Sequence, residues 1–321
     1  MKSGLRLVFI ATGDIALPSF HHLLVNGPRP LAVVTQPDKP AGRHMAPAPP
    51  AIKTAAIAAG IPVLQPEKIG DATAHLVALK PDILVVMAYG QILRDDILTL
   101  PSKAIVNLHA SLLPKYRGAA CIQAAIDAGD TETGVTSMHV VRALDAGDMI
   151  FAKSIPIADS DTGGSLHDRL SVLAAEVLGV TLENITNGRA SSIPQDEELA
   201  SYVPKLGRDD GRLDWNRTSS ALERRIRAYD PWPGTFTIHL ESGKGKRLKI
   251  FPPTLPLDMN LAPGALSCDG SRLIVGCGVG SLEVISVQPE GGKRMGAADY
   301  LRGRNPVADR SAHTEDNPRF C

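Results

Sequence analysis

Four short apolar runs rich in β-branched residues, Leu5–Ile10, Leu31–Thr35, Ile83–Ala88 and Ala104–Leu108, are separated by stretches of helical length, among them Asp14–Asn26, Pro50–Gly60 and Asp71–Lys80. Strands that are apolar throughout, rather than on alternate residues, need cover on both faces, and intervening helices supply it. The pattern predicts βαβ units and an α/β domain built on a mostly parallel sheet. Gly60-Ile61-Pro62-Val63-Leu64 ends one helix and begins a further short strand. Downstream, Ala119–Ala128 reads as a helix, and Val135–Val141 and Met149–Ile157 as strands. Ser165–Asn187, ending at Gly188, is the longest helical pattern, with Leu166, Leu170, Leu173, Val177 and Leu178 on one face.

The character then changes. Arg189–Arg208 is polar without a sustained period and reads as a linker. After a short helical piece around Ser219–Tyr229 come Thr235–Leu240, Leu248–Phe251, Ser271–Gly276 and Ser281–Ser286, short strands punctuated by Gly and Pro. That is the pattern of a small β-barrel. The expected organisation is one domain over 1–188, a linker over 189–208, a second domain over 209–305 and a disordered tail over 306–321. A chain of 321 residues is long enough for two domains, each with its own core.

The formal net charge of +0 gives no overall attraction to nucleic acid or membrane, so an RNA partner would be held by local patches. Cys121, Cys268, Cys277 and Cys321 lie far apart with no CxxC pair, which predicts neither a disulfide framework nor a zinc site, and fits a reducing cytoplasm. The apolar run Leu7–Ala11 is too short for a signal-peptide core, and no apolar stretch approaches the ~18 residues that span a bilayer. No metal and no membrane are expected.

Chemistry concentrates in Asn107-Leu108-His109-Ala110-Ser111-Leu112-Leu113-Pro114-Lys115-Tyr116-Arg117-Gly118-Ala119-Ala120 and in Leu144-Asp145-Ala146-Gly147-Asp148. Alternation along a strand points Asn107 and His109 the same way. Ligands of doubly wound sheets bind beyond the carboxyl ends of strands, where these residues fall. Acyl transfer to an amine develops an oxyanion, which Asn107 and an N–H of His109 can meet with hydrogen bonds. The amine must also lose a proton, and a carboxylate at Asp145 suits that need. Taken alone, a histidine at a strand end is more often structural than catalytic. Asp145 could equally be a turn residue, and Asp148 competes for its role.

Other candidates carry less. Ala11-Thr12-Gly13-Asp14 opens a helix but lacks GxGxxG and GK[ST] spacing. His21, His22 and His139 have no partner at metal-ligand spacing. Lys244-Gly245-Lys246-Arg247-Leu248-Lys249 reads as a solvated strand edge that could touch phosphate.

Together these blocks resemble the methionyl-tRNA formyltransferases, over nearly the whole chain to about Asn305. Further landmarks are Val34-Thr35-Gln36-Pro37-Asp38-Lys39-Pro40-Ala41-Gly42-Arg43, Ala88-Tyr89-Gly90-Gln91-Ile92-Leu93, Arg227-Ala228-Tyr229-Asp230-Pro231-Trp232-Pro233-Gly234 and Gln288-Pro289-Glu290-Gly291-Gly292-Lys293-Arg294-Met295. The resemblance implies a Rossmann-like domain that binds 10-formyltetrahydrofolate, then an OB-like barrel that helps to hold initiator methionyl-tRNA. It places catalysis on Asn107, His109 and Asp145. Folate contacts fall on Ser111, Leu112, Leu113 and Pro114, and on a loop holding Met87, Tyr89, Gly90 and Gln91. A loop that reaches the tRNA falls on Asp38–Pro50. Two departures stand out: Ala11-Thr12-Gly13 replaces the usual Gly-Thr-Pro, and His44, Met45 and Ala46 stand where lysines are common. Arg43 and Lys53 remain, and the Lys244–Lys249 run, with Lys246 and Arg247, is a further tRNA candidate.

The expected activity is formylation of the methionyl α-amine on initiator tRNA, by a cytoplasmic monomer. The rivals are a formyltransferase for a sugar-nucleotide amine, a formyltetrahydrofolate hydrolase and a non-catalytic RNA-binding protein.

Overall fold

The computed structural model describes residues 4–41, 46–241, 244–269 and 271–302. By contacts the chain forms two compact units that interleave in sequence. One comprises Met1–Cys121, Glu132–Pro156 and His167–Pro204; the other takes in Ile122–Thr131, Ile157–Leu166 and the described residues from Lys205 onward.

The first unit is organised by a seven-stranded sheet. Its parallel strands run, in spatial order, Val63–Leu64, Ala32–Val34, Leu7–Ala11, Ile83–Met87 and Ala104–His109. Every residue of Leu7–Ala11 and of Ile83–Met87 is buried, as strands covered on both faces must be. Helices Leu17–Val25, Ala51–Ala58 and Thr73–Leu79 return the chain between strands, burying Phe20 and Leu23, Ile52, and Leu76 respectively. Each such side chain contributes about 1.5–3 kcal/mol by leaving water. Lys80 takes the left-handed conformation at the end of Thr73–Leu79, closing the helix as Gly60 does after Ala51–Ala58.

The last two strands are the antiparallel part of the mostly parallel sheet expected. Glu132–His139 pairs antiparallel with Ala104–His109, and Met149–Pro156 pairs antiparallel with Glu132–His139. The sheet is therefore mixed and mostly parallel. Periodicity cannot separate these cases, because strand direction depends on connections rather than on side-chain pattern.

Residues 189–208, expected as a linker, hold more structure than their polarity suggests. Ile193 exchanges backbone hydrogen bonds with Met149. Tyr202–Val203 pairs in parallel with Arg117–Gly118. Such short, polar pairings leave no period to read.

The second unit carries a separate antiparallel sheet, in order Thr235–Glu241, Lys244–Leu257, Ser281–Pro289, Arg272–Gly276 and Leu266–Asp269, with Met295–Gly296 also on Ser281–Pro289. Leu248, Ile250, Leu273, Val275, Leu282 and Val284 pack with Trp215, Leu222 and Ile226 in one core. This is consistent with the small barrel expected. Within the basic run, Lys244–Arg247 are laddered on one side only, as a strand edge, and Leu248 and Lys249 on both. Its strand pairs with Thr235–Glu241 on one side and, from Leu248 onward, with Ser281–Pro289 on the other.

Candidate active site

Asn107 and His109 lie on one face of Ala104–His109, as alternation predicts. Asp145 follows the carboxyl end of the neighbouring, antiparallel strand Glu132–His139. It comes from the 140–148 connection, whose ends are pinned by Val140 N–H to Ile105 O and by His139 N–H to Asp148 O. Gly147 allows this turn to close: a Cβ there would stand 1.8 Å from the His139 carbonyl.

The Asp145 carboxylate sits between the other two members. Asn107 Nδ2 is 3.4 Å from its Oδ1, and His109 Nδ1 is 3.7 Å from its Oδ2. Its tight contact is with backbone, Gly118 N–H donating to Oδ2 at 2.8 Å. Asp145 itself holds φ +50, a left-handed conformation that costs a non-glycine residue about 1–3 kcal/mol unless its surroundings enforce it. Asp148 points elsewhere, its carboxylate accepting from Ser192 Oγ at 2.6 Å. The choice between the two aspartates is therefore made by the turn.

His109 is buried, and its Nε2 lies 2.7 Å from the Tyr116 carbonyl. A carbonyl can only accept, so Nε2 carries a proton and donates. Burial opposes a charged ring, but Cys121 beside it, the Asp145 carboxylate and the Tyr116 carbonyl all favour the imidazolium and push its pKa up to about 9. The Tyr116 carbonyl thus fixes the ring with Nε2–H as a donor.

The folded chain keeps a proton that an unfolded histidine releases near pH ~6.5. The stability supplied by this group is complete below that pH and is lost as pH rises through about 9. Thermal melts are expected to show a decline across this window that His109→Gln lacks. Identical pH profiles for the two proteins would refute it.

The Ser111–Pro114 segment is fastened from below. Ser111 Oγ donates to Tyr116 O at 3.1 Å, and Thr136 Oγ1 donates to Ser111 O at 2.7 Å while accepting from Leu113 N–H at 3.2 Å. Leu113 is buried, and Leu112 and Pro114 are half-buried. In the other loop Met87 and Tyr89 are buried, whereas Ala88 and Gly90 are exposed. Gln91 is committed to the loop's own support, accepting from Ile69 N–H and donating to Glu67 O. This loop therefore offers a ligand mainly backbone. The Tyr89 hydroxyl is buried without a hydrogen-bond partner, and its ring packs in the apolar cluster that holds Ile69, Leu76 and Leu93. Apolar walls with a few backbone and hydroxyl groups fit a pterin-like ring.

Arg43 lies outside the described residues. Lys246 is exposed, and Arg247 stacks over Phe236 at 3.7 Å and pairs with Asp209 at 3.3 Å. These two are on the second unit's sheet, beside a cavity of about 100 Å³ lined also by His239, Pro289 and Glu290. Lys53 is held by Asp38 at 2.8 Å, so its charge is locally matched.

Sequence alone gives no functional role to Arg117 or Gln195. Arg117 is fully buried, and Gln195 nearly so. The one signal available was that Arg117 lies in the block that carries Asn107 and His109. Gly118 holds φ +99, and a Cβ there would stand 2.2 Å from the Val203 carbonyl. Gly118→Ala is expected to cost about 2–5 kcal/mol, combining backbone strain with steric displacement. An unchanged urea midpoint would show that the strand pair separates without penalty.

A family model for formyl transferases matches residues 7–182, and one for the C-terminal domain of formyl transferases matches 205–305. A methionyl-tRNA formyltransferase of Akkermansia muciniphila is 47% identical over 310 residues, which is 95% of this chain and 98% of that protein. The methionyl-tRNA formyltransferase of Geobacter metallireducens is 40% identical over 94% of this chain and 96% of its own length. Among solved structures, the N-formyltransferase from Helicobacter canadensis, in complex with folinic acid and dTDP-3-aminofucose, matches with a TM-score of 0.66 at 19% identity, over 87% of this chain and 98% of its own. HypX from Aquifex aeolicus, in complex with tetrahydrofolic acid, matches with a TM-score of 0.63 at 17% identity, over 99% of this chain and 51% of its own. At such identities these structures speak for the fold alone. The two family models and the long, high-identity alignments lead to one conclusion: the chain belongs to the formyl transferase family, among the methionyl-tRNA formyltransferases.

Proposed function

We propose that the protein transfers the formyl group of 10-formyltetrahydrofolate to the α-amine of methionine on initiator methionyl-tRNA. The observation that carries this reading is the convergence of Asn107, His109 and Asp145 on one point, in a chain alignable end to end with methionyl-tRNA formyltransferases. The folate co-substrate supplies the formyl group. Ser111, Leu112, Leu113 and Pro114 would hold its ring, with Met87, Tyr89, Gly90 and Gln91 shaping the opposite side.

The amine attacks the formyl carbon. The tetrahedral adduct then collapses by breaking the bond from that carbon to the folate nitrogen, which takes up the relayed proton and leaves as tetrahydrofolate. Asn107 Nδ2–H and the His109 imidazolium donate to the formyl oxygen as charge builds there. Asp145 holds His109 protonated and accepts, through a water, the proton that the amine loses. The long Asn107 and His109 contacts to Asp145 suit groups that tighten only around substrate. On the tRNA side, Arg43, Lys246 and Arg247 are the proposed contacts. The domain division at 1–188 and 209–305 would separate chemistry from part of tRNA holding.

We place the enzyme in the cytoplasm as a monomer. The scattered cysteines support a reducing compartment, and no helix among the described residues is long and apolar enough to cross a membrane. A sugar-nucleotide acceptor is not favoured, since the related sugar enzyme is 19% identical against 47% for the methionyl-tRNA enzyme.

The test is formyl transfer to initiator methionyl-tRNA, with elongator methionyl-tRNA and no-tRNA controls. Selective formylation of the initiator is expected. Formate release irrespective of tRNA would overturn the reading in favour of a hydrolase.

A further inference from the structure

Gln195 and Arg117 take no part in the scheme above, yet their polar groups form one chain of contacts ending on Asp145. The Gln195 amide nitrogen donates to two carbonyls, Asp145 O and Gly147 O, each at 2.8 Å. Its Oε1 accepts from Arg117 Nε at 2.9 Å. The guanidinium then reaches Glu197 through two parallel bonds, of 3.0 and 2.7 Å, and Tyr202 Oη at 2.6 Å. The residue after Arg117 completes the grip, since Gly118 N–H is the tight partner of the Asp145 carboxylate.

The turn is thus held at both ends of one residue. Gln195 holds the Asp145 carbonyl and Gly118 holds its side chain. Arg117 joins the two, through its own side chain and through the backbone it shares with Gly118. Asp145's contacts with Asn107 and His109 are too long to locate it, so its placement must come from this other side.

The chemistry of the side chains matches the task. An amide alone offers a paired donor toward two carbonyls and an acceptor toward a cation. A guanidinium keeps its charge when buried and distributes rigid donors over several acceptors. Glu197, with its side chain largely exposed, supplies the balancing charge at the outer end.

We propose that Gln195 and Arg117 are positioning residues for formyl transfer, holding the Asp145 turn so that its carboxylate faces Asn107 and His109. The proposal rests on the functional reading given above. It also gives the 189–208 stretch a catalytic duty that its composition does not announce.

The test is a double-mutant cycle on the full chain, assayed by formyl transfer to initiator methionyl-tRNA. Gln195→Met keeps the length and removes the hydrogen bonds. It is expected to lower kcat by about 10- to 100-fold, as a small misplacement of a reacting group does, while KM for both substrates stays nearly constant. In an Asp145→Asn background the same change should cause no further loss, because a residue acting through Asp145 has nothing left to position. Unchanged kcat in Gln195→Met overturns the proposal. So does a loss repeated in full in the Asp145→Asn background, which would mark a general structural role. Should Gln195→Met fail to fold, Glu197→Gln loosens Arg117 from the exposed end. A kcat loss there that vanishes in the Asp145→Asn background supports the proposal, and full turnover overturns it. Failure of the functional reading looks different: Asp145→Asn itself would then retain wild-type turnover.

Discussion

Asn107→Ala is expected to lower kcat for initiator methionyl-tRNA by about 10²–10³-fold, the usual consequence of removing one donor to a developing oxyanion. What matters is where the amide is and how loosely it is held. Asn107 shares a strand face with His109, and its nitrogen is 3.4 Å from Asp145, at the limit of a hydrogen bond. A donor held so loosely by its own protein can turn toward a substrate oxygen. Because that oxygen carries charge only near the transition state, kcat and kcat/KM should fall together, with KM for folate nearly unchanged. Steady-state kinetics with each substrate varied in turn would decide this. Near-normal kcat would remove Asn107 from the chemistry.

Asp145→Asn should be at least as damaging, with a loss of about 10²–10⁴-fold, the range for a positioned acid–base group. Two effects combine. The proton acceptor disappears, and His109 loses one of the groups that keep its pKa at about 9. A weaker hold on the imidazolium proton lowers the pKa, so the alkaline limb of the pH–rate profile should move to lower pH. Gly118 N–H would also face an amide that can present nitrogen where an oxygen accepted. Measuring kcat from about pH 6 to about 10 separates these effects. A variant with reduced kcat and an unmoved alkaline limb would show that Asp145 does not govern His109.

Much of the architecture is legible in the residues. Leu7–Ala11 and Ile83–Met87 are strands buried throughout, and their apolar, β-branched composition already demands two covered faces. The short strands of the second unit announce themselves through the Gly and Pro that interrupt them. Leu266–Asp269 and the two-residue pairings do not, because segments so brief have no period. The basic run was readable as a strand. That its strand continues between two partners was not, since Ser281–Pro289 is distant in sequence.

The candidate site divides in the same way. Sequence by itself determined that Asn107 and His109 share a face, because side chains of a strand alternate and nothing distant can change that. It also brought forward Asp145 and Asp148 as the acids at hand. Only the tertiary structure decided between them, by the antiparallel course of Glu132–His139 and the turn that follows. It alone brought Arg117, Gly118, Gln195 and Glu197 together, from positions up to 80 residues apart. Periodicity reports what a residue does for its own element. A hydrogen bond across the fold depends on where two elements come to rest, and that is settled by packing rather than by local pattern.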